Sequence, residues 1–246
     1  MDLSGKIAIV TGSSRGFGEK IAETLNNYGA QTIVTYLRGD NEEKVNAEKV
    51  AKTIKSDLVL PLDVTDRKSV KNVMRQTYDQ FGKIDILVNN AGINIVGDFD
   101  KISDEDWQAV IDTDLKGVFT CCQEILPHLS DNGRVINIGS VSGQYGGPRT
   151  PSYAAAKAGV MALTHCFARF IGDRNITVNC VSPGTIQSEM LDATMPEKLK
   201  NSLLPMVLLK RMGKVEEVAE TVAFLASDGA GYISGQTIAV NGGLWV

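Results

Sequence analysis

Histidine is scarce in this chain, with only His128 and His165 among 246 residues, and the four cysteines at 121, 122, 166 and 180 have no C-x-x-C spacing. That scarcity removes the ligand sets of zinc sites and the cysteine frameworks of small secreted domains. Reduced thiols in a cytosolic protein are expected. A basic excess is missing too: 25 Lys and Arg against 29 Asp and Glu leave a net charge of -4, with the cations scattered. No footprint for nucleic acid results. Long apolar runs are also absent. Nothing approaches the roughly 18 residues of a membrane span, and the short run in MDLSGKIAIVTG cannot form a signal-peptide core. Repeats, low-complexity tracts and linkers are lacking, so one domain over residues 1–246 is expected. A 43% hydrophobic content supplies it with a sizeable core.

What is present is an alternation. Short β-branched runs at 7–10, 32–36, 58–63, 85–90, 134–138, 176–181 and 236–240 predict seven strands. Between them Phe17, Ile21, Leu25 and Tyr28 recur at helical spacing, as do Val45, Val50 and Ile54, then Val70, Val73, Met74 and Phe81. Repeating βα order with nearly continuous apolar strands predicts an α/β fold: a doubly wound, Rossmann-type parallel sheet of seven strands with helices on both faces. The longest helical segment, about 104–129, is apolar over more than one face, including Trp107, Val110, Ile111, Leu115, Val118 and Phe119. Either it is unusually buried within its own subunit or, as expected, its outer stripe packs against another copy of the chain. Cys121 and Cys122 read as small core or interface residues on it.

TGSSRGFG at 11–18 follows the first strand and opens the first helix. Gly12, Gly16 and Gly18 permit a tight turn, close approach of backbone to a pyrophosphate and close helix packing, while the N–H groups of Ser14, Arg15 and Phe17 and the helix dipole attract the anion. The second strand ends TYLRGD, with Tyr36 where an acid would accept from the ribose of NAD(H), and Arg38 two residues later. Arg15 and Arg38 can both face a 2′-phosphate, so NADP(H) is expected over NAD(H). Asp40 is expected to cap the next helix together with Glu43. Asp63 and Val64 end the third strand, where Asp63 serves either the adenine amino group or the next helix start. Small residues in NNAG, with Asn90, Ala91 and Gly92, let a cofactor lie against the backbone.

Tyr153 and Lys157 lie one helical turn apart on one face. A free phenol titrates near about 10, too high for efficient proton exchange at neutral pH. A cation about 4 Å away, at an effective dielectric of about 20, is worth roughly 4 kcal/mol, or about three units. Lys157 is therefore expected to tune Tyr153. Ser140 follows the strand RVINI, at the carboxyl edge where open α/β sheets bind ligands.

Taken in order, TGSSRGFG, NNAG, Ser140, YAAAK and Pro183-Gly184 resemble the short-chain dehydrogenase/reductase family over essentially the whole chain. The C-terminal segment 209–243 is similar to the 3-oxoacyl-[acyl-carrier-protein] reductases within it. The resemblance implies hydride transfer involving a nicotinamide, Tyr153 as acid/base, Ser140 orienting the substrate, and Lys157 binding ribose while lowering the Tyr153 pKa. It also implies Pro183, Gly184 and Ile186 beside the cofactor, and homotetramers.

Two departures stand out. DTDLKGVF places Asp114 where the family has a catalytic Asn; Asp keeps an acceptor, loses the amide donors, and has a raised pKa if buried. The basic residues that would meet an acidic acyl carrier protein are reduced to Arg134, opposed by Asp131, and nearby Arg174, so carrier docking is expected to be weak. Residues 185–212, with Met190, Leu191, Met195, Leu203, Leu204, Met206, Val207 and Leu208, read as an apolar lid over a partly apolar carbonyl. Gln144, Tyr145, Arg149 and Gln187 are candidate polar contacts. The expected activity is NADPH-dependent reduction of a ketone to a secondary alcohol. The alternatives are a dehydrogenase of a hydroxysteroid, polyol or secondary metabolite, and a non-catalytic nucleotide sensor.

Overall fold

The computed structural model describes residues 1–188, 191, 200 and 202–246. Its strands are β1 (Ile7–Val10), β2 (Gln31–Tyr36), β3 (Val59–Pro61), β4 (Ile84–Asn89), β5 (Leu129–Ile138), β6 (Thr177–Pro183) and β7 (Thr237–Val240). They form one parallel sheet in the order β3-β2-β1-β4-β5-β6-β7. The strand order reverses at β1, and a crevice opens beyond the carboxyl ends of β1 and β4, where such sheets bind ligands.

Eight helices are described: α1 (Gly16–Asn27), α2 (Asn41–Ile54), α3 (Arg67–Phe81), α4 (Asp104–Ile111), α5 (Gly117–Ile125), α6 (Ser142–Tyr145), α7 (Pro151–Ile171) and α8 (Val215–Ala226). The strands are apolar at successive positions because the two faces of the sheet serve two cores. Ala8, Val10, Val34, Ile86, Val88 and Ile136 face Ile21 and Leu25 of α1, Val50 of α2 and Val222 of α8. Their neighbours Ile7, Ile9, Ile33, Leu87 and Val135 face Val73 of α3, Ile125 of α5 and Val160 of α7. Each such Val, Leu or Ile contributes about 1.5–3 kcal/mol by leaving water.

Most strand ends lie within two residues of the sequence expectation, and three elements differ in a way that bears on the site. β3 is shorter, because Asp63 turns out of the strand and accepts from the Thr65 N–H at 2.9 Å; Asp66, not Asp63, caps α3. β5 is longer. Leu129 pairs with Ile84 and the register then slips, so that Arg134 pairs with Ile86. The long helix is split: α4 ends at Ile111, Asp112–Lys116 form a π turn, and α5 stops at Ile125. A π turn inserts one residue into a helix and is frequent at functional sites. Here it carries Asp114, which is fully buried. Gly159 of α7 makes room for this turn, since a Cβ there would meet Leu115 Cδ1 at 2.8 Å.

Trp107 and Phe119, on the outer stripe of α4 and α5, are each about two-fifths exposed. Of the expected lid, Ile186 bridges to Gly213, Leu204–Met206 form a single 3-10 turn, and Val207 is buried. Met190 and Met195 lie outside the described residues. Among the described residues no helix is long and apolar enough to cross a membrane, and no group of three potential ligands is placed to hold a metal. Cys121, Cys122 and Cys180 are buried free thiols, whereas Cys166 is exposed.

Candidate active site

The glycine loop leaves β1 through Gly12 at φ +63, a left-handed conformation that favours glycine. A Cβ at Gly12 would lie 3.1 Å from Ala91 Cα, and one at Gly18 would run into the Gly12 carbonyl and the Asn90 amide. The loop is tied to the end of β4. Asn90 Nδ2 donates to the Thr11 and Gly12 carbonyls at 2.9 and 3.0 Å, and Thr11 Oγ1 accepts from the N–H groups of Asn90 and Ala91. Thr35 fastens it to β2, accepting from the Gly12 N–H at 2.9 Å. No side chain caps α1, so its first-turn N–H groups face the crevice.

This crevice is a cleft of about 850 Å³. It brings together most of the predicted cofactor contacts: Gly12, Ser14, Arg15, Gly16, Phe17 and Gly18 from the loop, then Asp63, Val64, Asn90, Ala91 and Gly92 from the ends of β3 and β4. Pro183, Gly184 and Ile186 line it as well. Tyr36 and Arg38 do not reach it. Tyr36 packs against the core beneath α1 and α2, and Arg38 pairs with Asp66 at 3.2 Å. In their place the cleft presents Leu37 and Glu43. Asp40 does cap α2, accepting from the Glu43 N–H at 3.0 Å, but the Glu43 carboxylate turns toward the glycine loop. Backbone cradle, exposed helix N-terminus and cleft size together fit a dinucleotide.

The residues expected to carry the chemistry, Ser140, Tyr153, Lys157 and Asp114, line the same cleft. Ser140 follows β5, its Oγ accepts from the Ser142 N–H at 3.1 Å, and it lines the cleft together with Tyr153. α6 lies close on α7 because residue 143 is glycine; a Cβ there would come within 2.6 Å of the Ala158 N. Lys157 Nζ sits 5.4 Å from the Tyr153 ring centroid and donates to the Ile138 carbonyl at 3.0 Å. It also pairs with Asp114 Oδ2 at 3.1 Å, while Asp114 Oδ1 accepts from the Ile93 N–H at 2.8 Å. Gly92 matters here: a Cβ would lie 2.7 Å from Asp114 Oδ2.

The electrostatics correct one expectation. Burial pushes the Tyr153 phenol above its ordinary value; Lys157 pulls it down, Asp114 pushes it further up, and the balance is upward. Burial is the largest of these effects and outweighs the pull of Lys157, with Asp114 adding to it. Burial also raises the Asp114 carboxyl, against the pull of Lys157. Burial disfavours the Lys157 ammonium, yet the attractions of Asp114 and Tyr153 outweigh that cost and leave its pKa raised. Tyr153 is thus a proton-bearing phenol at neutral pH, suited to giving a proton to a carbonyl oxygen.

Around the rim, Tyr145 stacks on Trp245 at 5.9 Å, and Arg149 pairs with Asp98 at 2.8 Å. Gln144 is committed to Ser182, and Gln187 is exposed away from the cleft. Arg134 is no docking residue: it is 5% exposed and donates to the Asn132, Gly133 and Ser227 carbonyls. Arg174 is held by Asp131 and the Leu126 and Leu129 carbonyls.

Known proteins resemble this chain along its whole length. A family model described as enoyl-(acyl carrier protein) reductase matches residues 12–245. The 3-oxoacyl-[acyl-carrier-protein] reductase FabG of Staphylococcus aureus is 42% identical over 98% of both chains, and that of Thermotoga maritima 39% identical over 99% of both. Among solved structures, a blue fluorescent protein from a metagenomic library in complex with NADPH is 32% identical over 100% of both chains, with a TM-score of 0.93. A short-chain dehydrogenase/reductase from Serratia marcescens is 34% identical over 99% of both, at a TM-score of 0.90. With a glycine-lined cleft that ends on Ser140, Tyr153 and Lys157, and likeness along its whole length, this chain belongs to the short-chain dehydrogenase/reductase family, NAD(P)-dependent oxidoreductases that interconvert a ketone and its alcohol.

Proposed function

We propose that this protein reduces a ketone, a 3-oxoacyl thioester or a similar partly apolar carbonyl, to a secondary alcohol at the expense of NADPH. The observation that carries this reading is the phenol of Tyr153, held protonated by burial beside Ser140 and Lys157 in a dinucleotide-sized cleft. A nicotinamide bound there supplies the hydride. Ser140 donates a hydrogen bond to the substrate oxygen, and Tyr153 passes its proton to that oxygen as the alcohol forms. Lys157 fixes the phenol through charge and offers its remaining donor to a ribose hydroxyl. Asp114 and the Ile138 carbonyl hold the ammonium in place. NADP(H) is favoured by the donors gathered beside the end of β2, Arg15 and Ser14 of the glycine loop and the Leu37 N–H, which converge on one anion, the Glu43 carboxylate. Likeness to an NADPH-bound structure supports the same choice.

A coenzyme-linked or free substrate suits this chain better than a carrier-bound one, because Arg134 and Arg174 are already used internally. The protein works in the cytosol as a homo-oligomer, a tetramer, through the exposed stripe of Trp107 and Phe119. The test is loss of NADPH absorbance with an acetoacetyl thioester, free and carrier-bound, a simple diketone and a steroid ketone. Oxidation of NADPH by the free thioester supports the reading. Tight NADPH binding without turnover on any ketone would favour a nucleotide sensor, and turnover on carrier-bound thioester alone would overturn the substrate assignment.

A further inference from the structure

Three hydrogen-bond donors from two separate elements converge on one anion at the edge of the cleft, and that anion belongs to the protein. Glu43 Oε2 accepts from Ser14 Oγ at 2.9 Å and from the Leu37 N–H at 3.3 Å, and Glu43 Oε1 accepts from Arg15 Nε at 3.2 Å. Ser14 and Arg15 belong to the glycine loop, and Leu37 follows β2. The Glu43 side chain is only 17% exposed and lines the same cleft as the loop. A hydroxyl, a guanidinium and a backbone N–H are the donor types that bind a phosphate ester, and a carboxylate is the group that most closely stands in for one. The second arginine of the region does not compensate, because Arg38 is paired with Asp66.

Glu43 is not needed where it is for helix capping. Its N–H is satisfied by the Asp40 carboxylate, and its own carboxylate has left the helix terminus for the loop. A carboxylate in this position accepts hydrogen bonds from ribose hydroxyls and repels a second anion.

We infer that Glu43 sets the choice between NADP(H) and NAD(H), acting as a built-in competitor for the donors that a 2′-phosphate would claim. The inference rests on the dinucleotide reading of the cleft and deepens it: NADP(H) binds by displacing the Glu43 carboxylate from Ser14, Arg15 and Leu37, whereas NAD(H) leaves it in place. The margin by which the protein prefers NADP(H) is therefore smaller than its donor set alone would provide.

The test measures binding rather than turnover. Calorimetric titration of the full-length protein with NADP⁺, NAD⁺, adenosine 2′,5′-bisphosphate and 5′-AMP gives four affinities for the wild type, for Glu43→Gln and for Glu43→Asp. Glu43→Gln removes the charge and keeps the shape; Glu43→Asp keeps the charge but withdraws it by one methylene. Binding of the bisphosphate and NADP⁺ is expected to tighten about tenfold or more in Glu43→Gln, with 5′-AMP and NAD⁺ unchanged or weaker. Glu43→Asp is expected to lie between. An unchanged NADP⁺/NAD⁺ ratio in both variants would overturn the inference. Weaker NADP⁺ binding in Glu43→Gln would also overturn it, since that outcome makes Glu43 an organiser of Arg15 instead of a competitor. Failure of wild-type protein to bind either dinucleotide would count against the cofactor reading itself.

Discussion

Replacing Asp114 with Asn keeps the side-chain volume and the oxygen that accepts from the Ile93 N–H, but removes the charge that faces Lys157. At 3.1 Å and an effective dielectric of about 20, the lost attraction is about 5 kcal/mol. Relief of the several kcal/mol needed to bury a carboxylate offsets most of it, so the net change in stability is expected within about 2 kcal/mol. The effect on chemistry is larger than the effect on folding. Asp114 is one of the groups that hold the Tyr153 phenol above its ordinary pKa; without it the phenol ionises at lower pH. Reduction needs the protonated phenol, so its alkaline limit moves down in pH. Oxidation of the alcohol needs the phenolate, so its rate at neutral pH rises. The assay is kcat/KM against pH in both directions for wild type and Asp114→Asn, each with Tyr153 present. Identical profiles would refute the proposed coupling from Asp114 through Lys157 to Tyr153.

Other outcomes follow from the same geometry. Asp114→Ala leaves the Lys157 ammonium buried without its partner and is expected to cost about 3–5 kcal/mol, read as a lowered denaturant midpoint; a loss under about 1 kcal/mol would contradict the buried pair. Gly18→Ala drives a methyl into the Gly12 carbonyl and the Asn90 amide, so dinucleotide affinity should fall at least about tenfold by calorimetry, and retained affinity would speak against the cradle. Arg15→Ala is expected to weaken NADPH binding about tenfold while Arg38→Ala changes it less than about threefold, because Arg38 is spent on an exposed pair with Asp66. A larger effect at Arg38 would return it to the site. Ser140→Ala should lower kcat about 10²–10³-fold with little change in NADPH affinity, measured by steady-state kinetics and titration; undiminished kcat would remove its role.

The sheet was legible because two periods were visible at once: apolar runs at successive strand positions, and helical spacing between them. Its boundaries were less so. Nothing in LSDNGR announces that Leu129 already pairs with Ile84 before the register slips, because a bulge is chosen by tertiary packing and not by local propensity. The π turn at Asp112–Lys116 was equally hidden, since its five residues continue an ordinary helical pattern. That Tyr153, Lys157 and Ser140 would meet was readable from spacing, because Tyr153 and Lys157 share a helix and Ser140 follows a strand end at the same edge of the sheet. The sign of the tuning was not. It depends first on how deeply the phenol is buried and then on Asp114 meeting Lys157 from another element, neither of which a local pattern encodes. The same limit explains the arginines: their charge was visible, but Glu43 and Asp66 had already claimed them.

Tyr153→Phe removes one oxygen and leaves the ring that packs beside Lys157. Single-turnover hydride transfer from NADPH to a ketone, measured alongside NADPH affinity, isolates what that oxygen does. The expected result is hydride transfer slowed about 10²–10⁴-fold with affinity preserved. Transfer at the wild-type rate would show that the proton comes from elsewhere.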